Sequence, residues 1–368
     1  EMRSTCLWSA ILFCFSCSSN GNMDLDDDST ANSDTQTDSA TDTGPDTGNG
    51  LEPAGDYSQA GPWTPGHLEK TITGSTGSTL YIDTWFPSSE SGSDHHYYGW
   101  SNWGFDGEAY SGLSPDCSEP RPVMVHSHGN GSIRWEMFYL QEFLSTHGWI
   151  IAAPDHEGNT LYNDIEDFGT LAWQRPLDVQ DTFNWLVSEG NDPSSDLYGC
   201  IDEDAGYAVA GYSFGGYTAL ATAGALVNEG TTPSHDLGDE RVWAVLSLAP
   251  WNAYGLLTTG TSEIAVPALT LGGERDATVG TQFQALHSHI ESTPRAMGSF
   301  PNAGHYSFTP IYCSGLGDGC GPNFIEADLF TGIVKTSVLA ALEHVRGRSG
   351  AIEQMPAESE ELAWEMVD

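Results

Sequence analysis

The stretch VAGYSFGGYTALATAGAL, residues 209–226, decides the fold predicted for this chain. We expect a β-strand over 207–211, a sharp turn that carries Ser213, and an Ala-rich helix that begins near Gly216. The turn matches the pattern G-x-S-x-G with Gly211, Ser213 and Gly215. A strand and a helix that approach so closely leave no room for Cβ atoms beside the serine. The helix N-terminus behind the hydroxyl favours developing negative charge.

A serine nucleophile needs a base, and the base needs a carboxylate that orients it. Since ordinary glycine turns also produce G-x-S-x-G by chance, Ser213 must be judged by such partners. In a parallel α/β sheet they follow the carboxyl ends of strands, in the order serine, acid, histidine. Asp276 follows the apolar segment 267–273, and His305 follows 295–300. We therefore predict Asp276 as the acid and His305 as the base.

Other residues compete for these two roles. Glu274 is the rival acid, because it lies in the same turn as Asp276. The rival bases do not follow a strand after the acid, and they are His126, His128, His287 and His289. The order of the chain and the Gly304–His305 turn favour His305 over the rival bases, and we prefer Asp276 to Glu274 as the acid.

Attack on a carbonyl carbon creates an oxyanion that needs two backbone donors. We expect one from the amide of Phe214, directly after the serine, and the other from the amide of Asn130 in HSHGNG. His126 and His128 lie at alternate positions at the end of the strand before this loop, and we interpret them as structural residues that hold it. A third ligand at useful spacing is missing, so we expect neither a metal nor an organic cofactor.

Apolar segments alternate with amphipathic ones along most of the chain. This alternation predicts an α/β fold with a mostly parallel sheet and helices on both faces. The predicted strands cover 122–128, 148–155, 207–211, 242–250, 267–273 and 295–300. The predicted helices cover 135–146, 176–189, 216–227 and 325–346.

Two features precede this alternation. The segment 70–88 predicts a hairpin with strands near 69–73 and 80–86. Residues 88–120 are rich in Gly, Ser, Tyr and Trp, and we expect a long loop there. Its aromatic side chains either line a substrate cleft or cover the edge of the sheet, and the sequence does not decide between the two.

Residues 1–17 predict a signal peptide. One Arg precedes the apolar run LWSAILFCF, which is too short to span a bilayer. Cys17 lies where a bacterial lipoprotein is cleaved and acylated, so a lipid anchor at the cell surface and a plain signal peptide both stay open. Residues 18–56 are too polar to bury a core, and we expect a disordered tether there. Residues 57–368 then form one large domain.

The formal net charge of the chain is −41 at pH 7. Residues 1–56 contain eleven acidic residues and one Arg, so about −31 remains on residues 57–368. This charge excludes nucleic acid and anionic membrane surfaces as favourable partners. An acidic surface poor in Lys favours adaptation to high salt, where self-repulsion is screened, over the acidity of an ordinary acidic lineage.

The cysteine pattern indicates disulfides. Four of the seven cysteines lie beyond the predicted leader and anchor, at Cys117, Cys200, Cys313 and Cys320. An even number in an exported chain is typical of disulfide bonding. Cys313 and Cys320 flank the Gly-rich segment SGLGDG and could close it into a loop.

Several motifs occur in a fixed order along the chain: SHGNG, HGWIIAAPDHEG, GYSFGG, PALTLGGERDATV and NAGHYSF. This set resembles the α/β-hydrolase superfamily over about residues 68–312. Within it, the chain is similar to dienelactone-hydrolase-like proteins, to platelet-activating-factor acetylhydrolases, and to bacterial cutinases and polyester hydrolases. SHGNG and GYSFGG are closer to the acetylhydrolases, whereas LAPWNAY and the acid and histidine loops are closer to the polyester hydrolases.

The resemblance implies an α/β-hydrolase fold with Ser213 as nucleophile, Asp276 as acid and His305 as base. Trp251 lies where polyester hydrolases have an aromatic clamp for the acyl ring, although a core Trp at a strand end is the alternative.

The chain also departs from the polyester hydrolases. They usually have an aromatic residue at the place of Asn130 and Met or a similar residue at that of Phe214, and they have no segment as long as 88–120. These differences weaken the expectation of efficient binding to a polymer.

The resemblance further implies a pairing for the other two cysteines. In the sheet order of this fold, the strand at 123–128 runs beside and parallel to the strand at 207–211. Cys117 and Cys200 therefore approach the same edge of adjacent strands. We expect the disulfides Cys117–Cys200 and Cys313–Cys320.

These features predict an exported, monomeric serine ester hydrolase from a bacterium of a saline environment. Its substrate is a small ester or a polymer such as a polyester. The expected walls of the substrate cleft are Trp251, Asn130 and Phe214, with some of Trp100, Trp103 and Tyr110. An acetylhydrolase of short-acyl lipid esters and an amide hydrolase or peptidase are alternatives on the same fold. A surface lipoprotein without catalytic activity is a third alternative, which the three competent residues disfavour.

Overall fold

The computed structural model describes residues 51–368, except 101–102, 165, 230–231 and 314–316. The chain divides into two units, Glu1–Thr47 and Gly48–Asp368, and all of the described residues belong to the second. The predicted signal peptide, Cys17 and most of the predicted tether lie outside the described residues. Within the described part of the chain, no helix has the length and apolar character needed to cross a bilayer.

The folded unit begins before the predicted boundary at residue 57. The amide of Ala54 donates to the carbonyl of Ser349 at 2.9 Å, and the guanidinium of Arg348 donates to the carbonyl of Glu52 at 2.8 Å. Residues 51–56 are thus held against the segment that follows the last long helix.

The described residues form an eleven-stranded sheet at the centre of the domain. Its strands in chain order are β1 (Thr64–Thr73), β2 (Thr79–Ser88), β3 (His95–Trp100), β4 (Trp103–Ser111), β5 (Val123–Ser127), β6 (Ile150–Pro154), β7 (Tyr207–Tyr212), β8 (Val242–Leu248), β9 (Ala268–Gly273), β10 (Arg295–Phe300) and β11 (Ala363–Val367). Their order in space is β11-β10-β9-β8-β7-β5-β6-β2-β1-β4-β3. The strands from β10 to β6 run parallel, as predicted, and antiparallel strands β11 and β2 flank them.

Helices cover both faces of this sheet. The described helices are α1 (Phe138–Thr146), α2 (Phe168–Asn191), α3 (Phe214–Thr222), α4 (Gln282–His287) and α5 (Ala327–Val345). One core joins α1 and α5 to Met124 and Leu246, and a second joins α2 and α3 to Val125 and Val245. Neighbouring residues of a strand point to opposite faces, so the two cores lie on opposite sides of the sheet.

Residues 88–120 are not the long loop that the sequence predicted. They contain the hairpin β3–β4, and β4 joins the sheet by parallel pairing with β1. The buried carboxylate of Glu142 on α1 accepts from the hydroxyl of Tyr98 at 2.9 Å and from the amide of Ala109 at 2.8 Å. The prediction failed because glycine and polar residues interrupt the alternating pattern of a strand. In addition, the carboxylate of Glu142, which holds the hairpin, lies on a helix distant in sequence.

Several element boundaries also differ from the predictions. The helix expected from Pro176 begins at Phe168, because the side chain of Asp167 caps it by accepting from the amide of Thr170 at 3.1 Å. Pro176 therefore lies inside α2. The helix after Ser213 ends at Thr222, short of the expected end, and neither α4 nor β11 was predicted.

Both expected cysteine pairs lie at disulfide distance. The Cα atoms of Cys117 and Cys200 are 4.4 Å apart, and those of Cys313 and Cys320 are 5.3 Å apart. The first pair joins the segments that lead into β5 and β7, which are neighbours in the sheet.

Candidate active site

Ser213 lies in a strained turn between β7 and α3. Its backbone has φ 55° and ψ −118°, in a region that residues with a Cβ rarely occupy. The amide of Ser213 donates to Leu248 in β8 at 2.9 Å, and its carbonyl accepts from Trp251 at 2.8 Å. Neighbouring segments thus hold the strained conformation in place.

The two flanking glycines of the turn are required by close backbone contacts. A Cβ on Gly211 would overlap the carbonyl of Gly215, and a Cβ on Gly215 would overlap the carbonyl of Ser127. The glycines of G-x-S-x-G therefore allow the strand, the helix and the end of β5 to meet beside Ser213.

The structure brings Ser213, His305 and Asp276 together in one hydrogen-bonded array. His305 Nε2 lies 2.9 Å from Ser213 Oγ, and His305 Nδ1 lies 2.7 Å from Asp276 Oδ2. A carboxylate only accepts, so Nδ1 carries the proton and Nε2 is free to accept from the serine hydroxyl. Asp276 Oδ1 accepts from the amides of Thr278 and Val279 at 2.9 and 2.8 Å, which fixes the carboxylate.

The rival acid and bases lie outside this array. Glu274 is exposed and contributes its amide to Phe300, not its carboxylate to a histidine. The ring of His287 on α4 is buried and bonds Thr270 at 3.0 Å, and His289 is exposed. The geometry therefore selects Asp276 and His305, the pair predicted from the sequence.

The loop after β5 lies beside the first turn of α3, where the two oxyanion donors are expected. Phe214 begins α3, and amides in a first turn have no acceptor within their own helix. The amide of Gly129 is already used by Glu136, at 2.8 Å. Asn130 is exposed, and its side-chain oxygen accepts from Asn159 at 2.9 Å, which anchors the loop.

His128 holds backbone at the start of this loop. Nδ1 of His128 donates to the carbonyl of Gly129 at 2.7 Å, and Nε2 accepts from the amide of His156 at 3.1 Å. Burial, assisted by the charge of Arg175, lowers the pKa of His128 well below its ordinary value. His126 is also buried, with Nε2 3.8 Å from the carboxylate of Glu136. The contacts of His128 fit the structural interpretation, whereas neither ring nitrogen of His126 has a hydrogen-bond partner among the described residues.

A second serine, histidine and aspartate array lies beneath the loop, and sequence reasoning missed it. His156 Nε2 lies 2.9 Å from Ser127 Oγ, and His156 Nδ1 lies 2.9 Å from Asp178 Oδ2. All three residues are fully buried. We call Ser127, His156 and Asp178 the buried array.

Arg175 on α2 connects the buried array to both expected oxyanion donors. Its guanidinium donates to Ser127 Oγ at 3.1 Å, to Asn159 Oδ1 at 2.5 Å, and to the carbonyl of His128. It also stacks over the ring of Phe214, 4.7 Å from its centroid. Burial lowers the pKa of Arg175 to about 9, which still leaves the group charged at pH 7.

Four aromatic side chains cluster beside Ser213. The ring of Trp251 lies 5.1 Å from Phe168, 5.7 Å from Phe214 and 6.3 Å from Tyr254. Trp251 and Phe168 are partly buried, whereas Tyr254 is 81% exposed. Sequence reasoning missed Phe168 and Tyr254, which belong to a helix start and a turn without a distinctive motif.

Two expectations about the walls need correction. The side chain of Phe214 is fully buried between Arg175 and the aromatic cluster, so only its backbone can face a substrate. The hairpin residues Trp100 and Trp103 pack on Trp135 instead, with centroids 6.0 and 5.7 Å away, and Tyr110 stacks on His95. The hairpin lies at the far edge of the sheet, so its aromatic side chains do not join the cluster around Ser213.

Comparison with known proteins gives a likeness in structure but none in sequence. No protein-family model and no curated protein matches the chain. Among solved structures, a ferulic acid esterase from Streptomyces cinnamoneus is similar, with a TM-score of 0.62 and 20% sequence identity. The match covers 82% of this chain and 96% of that chain. Together with the sheet order and the serine turn, this likeness identifies the fold of the protein as the α/β-hydrolase fold.

Proposed function

We propose that this protein is a serine hydrolase that cleaves carboxylic esters through an acyl-enzyme. The observation that carries the proposal is the array in which His305 lies 2.9 Å from Ser213 Oγ and 2.7 Å from Asp276. The fold that the protein shares with a ferulic acid esterase supports the same class of reaction.

In the acylation step, Ser213 Oγ attacks the carbonyl carbon of the ester while its proton moves to His305 Nε2. Asp276 stabilises the imidazolium that forms and keeps Nδ1 as the donor. The amides of Phe214 and Asn130 donate to the oxyanion. The tetrahedral intermediate then expels the alcohol, which takes the proton from His305 Nε2, and the acyl group stays on Ser213.

Deacylation repeats these steps with water as the nucleophile. His305 Nε2 accepts a proton from water, and the hydroxide attacks the acyl carbon. Collapse of the second intermediate releases the carboxylic acid and returns the proton to Ser213 Oγ. The proton that leaves with the alcohol is replaced by one from water, and both pass through His305 Nε2. The cycle therefore balances.

The aromatic cluster beside Ser213 supports esters with a short or aromatic acyl group. Trp251 and Tyr254 expose apolar ring surface next to the nucleophile, and flat acyl groups pack well on such surfaces. Asn130 keeps the opposite wall polar. We propose small esters as the main substrates, with short-acyl lipid esters and aromatic polyesters as narrower classes to be tested.

Kinetics with p-nitrophenyl acetate, a short-chain series and an aromatic polyester film test this proposal. Ser213→Ala should lower kcat by at least about 10⁴-fold while the thermal unfolding curve stays unchanged. Retention of activity in this variant would refute the ester hydrolase mechanism. Faster cleavage of a matched p-nitroanilide than of the ester would instead assign an amide hydrolase.

We also propose export from the cell. The two cysteine pairs at disulfide distance support an oxidising compartment, because such bonds are rare in the reducing cytosol. Labelling of expressing cells with a palmitate probe, with Cys17→Ala as the control, separates a lipid anchor from free secretion. A protein found only in the cytosol would contradict export.

A further inference from the structure

We call residues 128–132, which follow β5, the oxyanion loop. A groove of about 240 Å³ opens between the hairpin β3–β4 and the segment that follows this loop. One side is formed by Tyr97 and Trp100 of β3, and the other by Arg134 and Tyr162. Tyr81 of β2 lies between them. The groove is separate from the aromatic cluster around Ser213, and the proposed reaction does not use it.

Four aromatic side chains of the groove are exposed to solvent. Their exposed fractions are 45% for Tyr81, 46% for Tyr97, 45% for Trp100 and 53% for Tyr162. Tyr98, between two of them on β3, is buried, and its hydroxyl donates to Glu142, so this contact holds the hairpin while the four other rings keep exposed surface. Large aromatic side chains gathered at a solvent-exposed groove mark a binding surface.

The groove is rigid on its inner side. Arg134 donates to Asp83 at 2.7 Å, to Asp155 at 2.8 Å and to Glu69 at 3.0 Å. The hydroxyl of Tyr162 donates to Asp155 at 2.5 Å. The Arg134 side chain and the Tyr162 ring, fixed in this way, lose little conformational entropy when a ligand binds.

The chemistry of the lining favours a sugar over an aromatic polymer. Charged and hydroxyl groups of Glu69, His96 and the tyrosines lie among the rings. An aryl chain would remove water from these polar groups and offer them no hydrogen bonds in return. A saccharide offers an apolar C–H face to the rings and hydroxyl groups at its edge to these polar groups. The net charge of −41 disfavours acidic saccharides.

The groove also adjoins the oxyanion loop. Ser132 of that loop pairs with Thr160, and the amide of Leu161 donates to the carbonyl of Ser132 at 2.7 Å. Tyr162 follows this contact directly, and Arg134 lies two residues after Ser132. A chain bound in the groove therefore extends toward the loop that carries Asn130.

From these contacts we infer that the groove binds a linear, neutral saccharide, with Trp100 and Tyr81 as ring platforms. Resting on the proposed esterase function, this site holds the sugar part of a substrate whose ester bond enters the cleft at Ser213. The binding itself does not depend on catalysis, so the two claims can fail separately.

Isothermal titration of the wild-type protein with cellohexaose and xylohexaose tests the site, because neither sugar carries an ester. We expect at least one of them to bind with a Kd below about 1 mM. Trp100→Ala and, separately, Tyr81→Ala should weaken this binding by about tenfold. Both variants should keep the wild-type kcat for p-nitrophenyl acetate, which also shows that they fold.

Tyr198→Ala is the matched control, since Tyr198 is also 53% exposed but lies outside the groove. It should leave saccharide binding within twofold of wild type. The inference is overturned by a failure of both sugars to bind, or by binding that neither groove variant weakens. Binding of bis(2-hydroxyethyl) terephthalate in place of the sugars, lost in Trp100→Ala, would assign the groove to aryl polymers instead. Loss of esterase activity with intact sugar binding would count only against the proposed function.

Discussion

Two serine, histidine and aspartate arrays lie on either side of the oxyanion loop, with almost the same internal distances. In one, the histidine of Ser213–His305–Asp276 is 2.9 Å from its serine and 2.7 Å from its aspartate. In the buried array, both distances of His156 are 2.9 Å. Side-chain geometry alone therefore does not distinguish a catalytic array from a structural one.

The surroundings of the two serines differ in ways that chemistry requires. Ser213 lies in a strained turn at a helix N-terminus, whereas Ser127 belongs to a regular strand in the middle of the sheet. Ser127 Oγ also accepts from Arg175, and the serine has no exposed surface. We infer that access and adjacent backbone donors distinguish the proposed nucleophile, while the buried array holds the loop from which we expect one of those donors.

The sharpest contrast comes from removing each histidine. His305→Ala should lower kcat for p-nitrophenyl acetate by at least about 10⁴-fold, because the serine loses its base. His156→Gln should lower kcat far less, since its ring touches neither the substrate nor Ser213. Equal losses in the two variants, at equal thermal stability, would erase the proposed difference between the arrays.

Arg175→Met tests whether the buried array supports catalysis through the oxyanion loop. The variant removes the donors to Ser127, Asn159 and the carbonyl of His128, so kcat should fall by about 10²-fold. KM should change less than threefold, because the Met side chain can keep the apolar packing on the buried ring of Phe214. Arg241→Met is the control, since Arg241 also stacks on a ring, at 4.9 Å from Phe183, but lies away from the loop. A wild-type kcat in the Arg175 variant would assign it to stability alone.

The pH dependence of stability should reveal the buried aspartate. Burial raises the pKa of Asp178 to about 7, from its ordinary value of 3.8. Between these values the native state holds a proton that the unfolded state has released, so stability falls as the pH rises. Relative to Asp178→Asn, the wild-type free energy of unfolding should fall by about 1.4 kcal/mol per pH unit in this window.

Denaturant unfolding at pH 4.5, 5.5 and 6.5 measures this slope, with Asp181→Asn on the same helix as the control. Parallel curves for the wild type and Asp178→Asn would contradict the shifted titration.

Ser127→Ala should have the smallest effect on rate. Its hydroxyl joins Arg175 to His156, and removing it leaves buried donors without a partner, which costs about 1–3 kcal/mol of stability. The value of kcat should stay within threefold of wild type. A loss comparable to that of Ser213→Ala would give Ser127 a catalytic role that its burial argues against.

The Ser213 array could be predicted because its residues follow short, mostly apolar segments that alternate with helical ones. Such segments are recognisable in sequence, and their order fixes which turns meet at the carboxyl edge of the sheet. Gly211 and Gly215 marked the turn itself. The choice between Asp276 and Glu274 needed the structure, because both lie in one turn.

The buried array and the hairpin β3–β4 could not be predicted in this way. Asp178 and Arg175 lie on a helix whose other charged residues, Asp181 and Glu189, are partly exposed, and nothing local shows that these two point inward. Pro176 also moved the predicted start of α2 past Arg175. In the hairpin, the contact that fixes Tyr98 is a carboxylate on α1, more than forty residues away in the sequence. Tertiary contacts of this kind leave no periodic signal.

Labelling with a fluorophosphonate probe, followed by peptide mapping, tests the central claim most directly, because the probe modifies only an activated serine. The account predicts one label, on Ser213, at a rate unchanged in Ser127→Ala and abolished in His305→Ala. A label on Ser127, or the absence of any label on the folded protein, would contradict it.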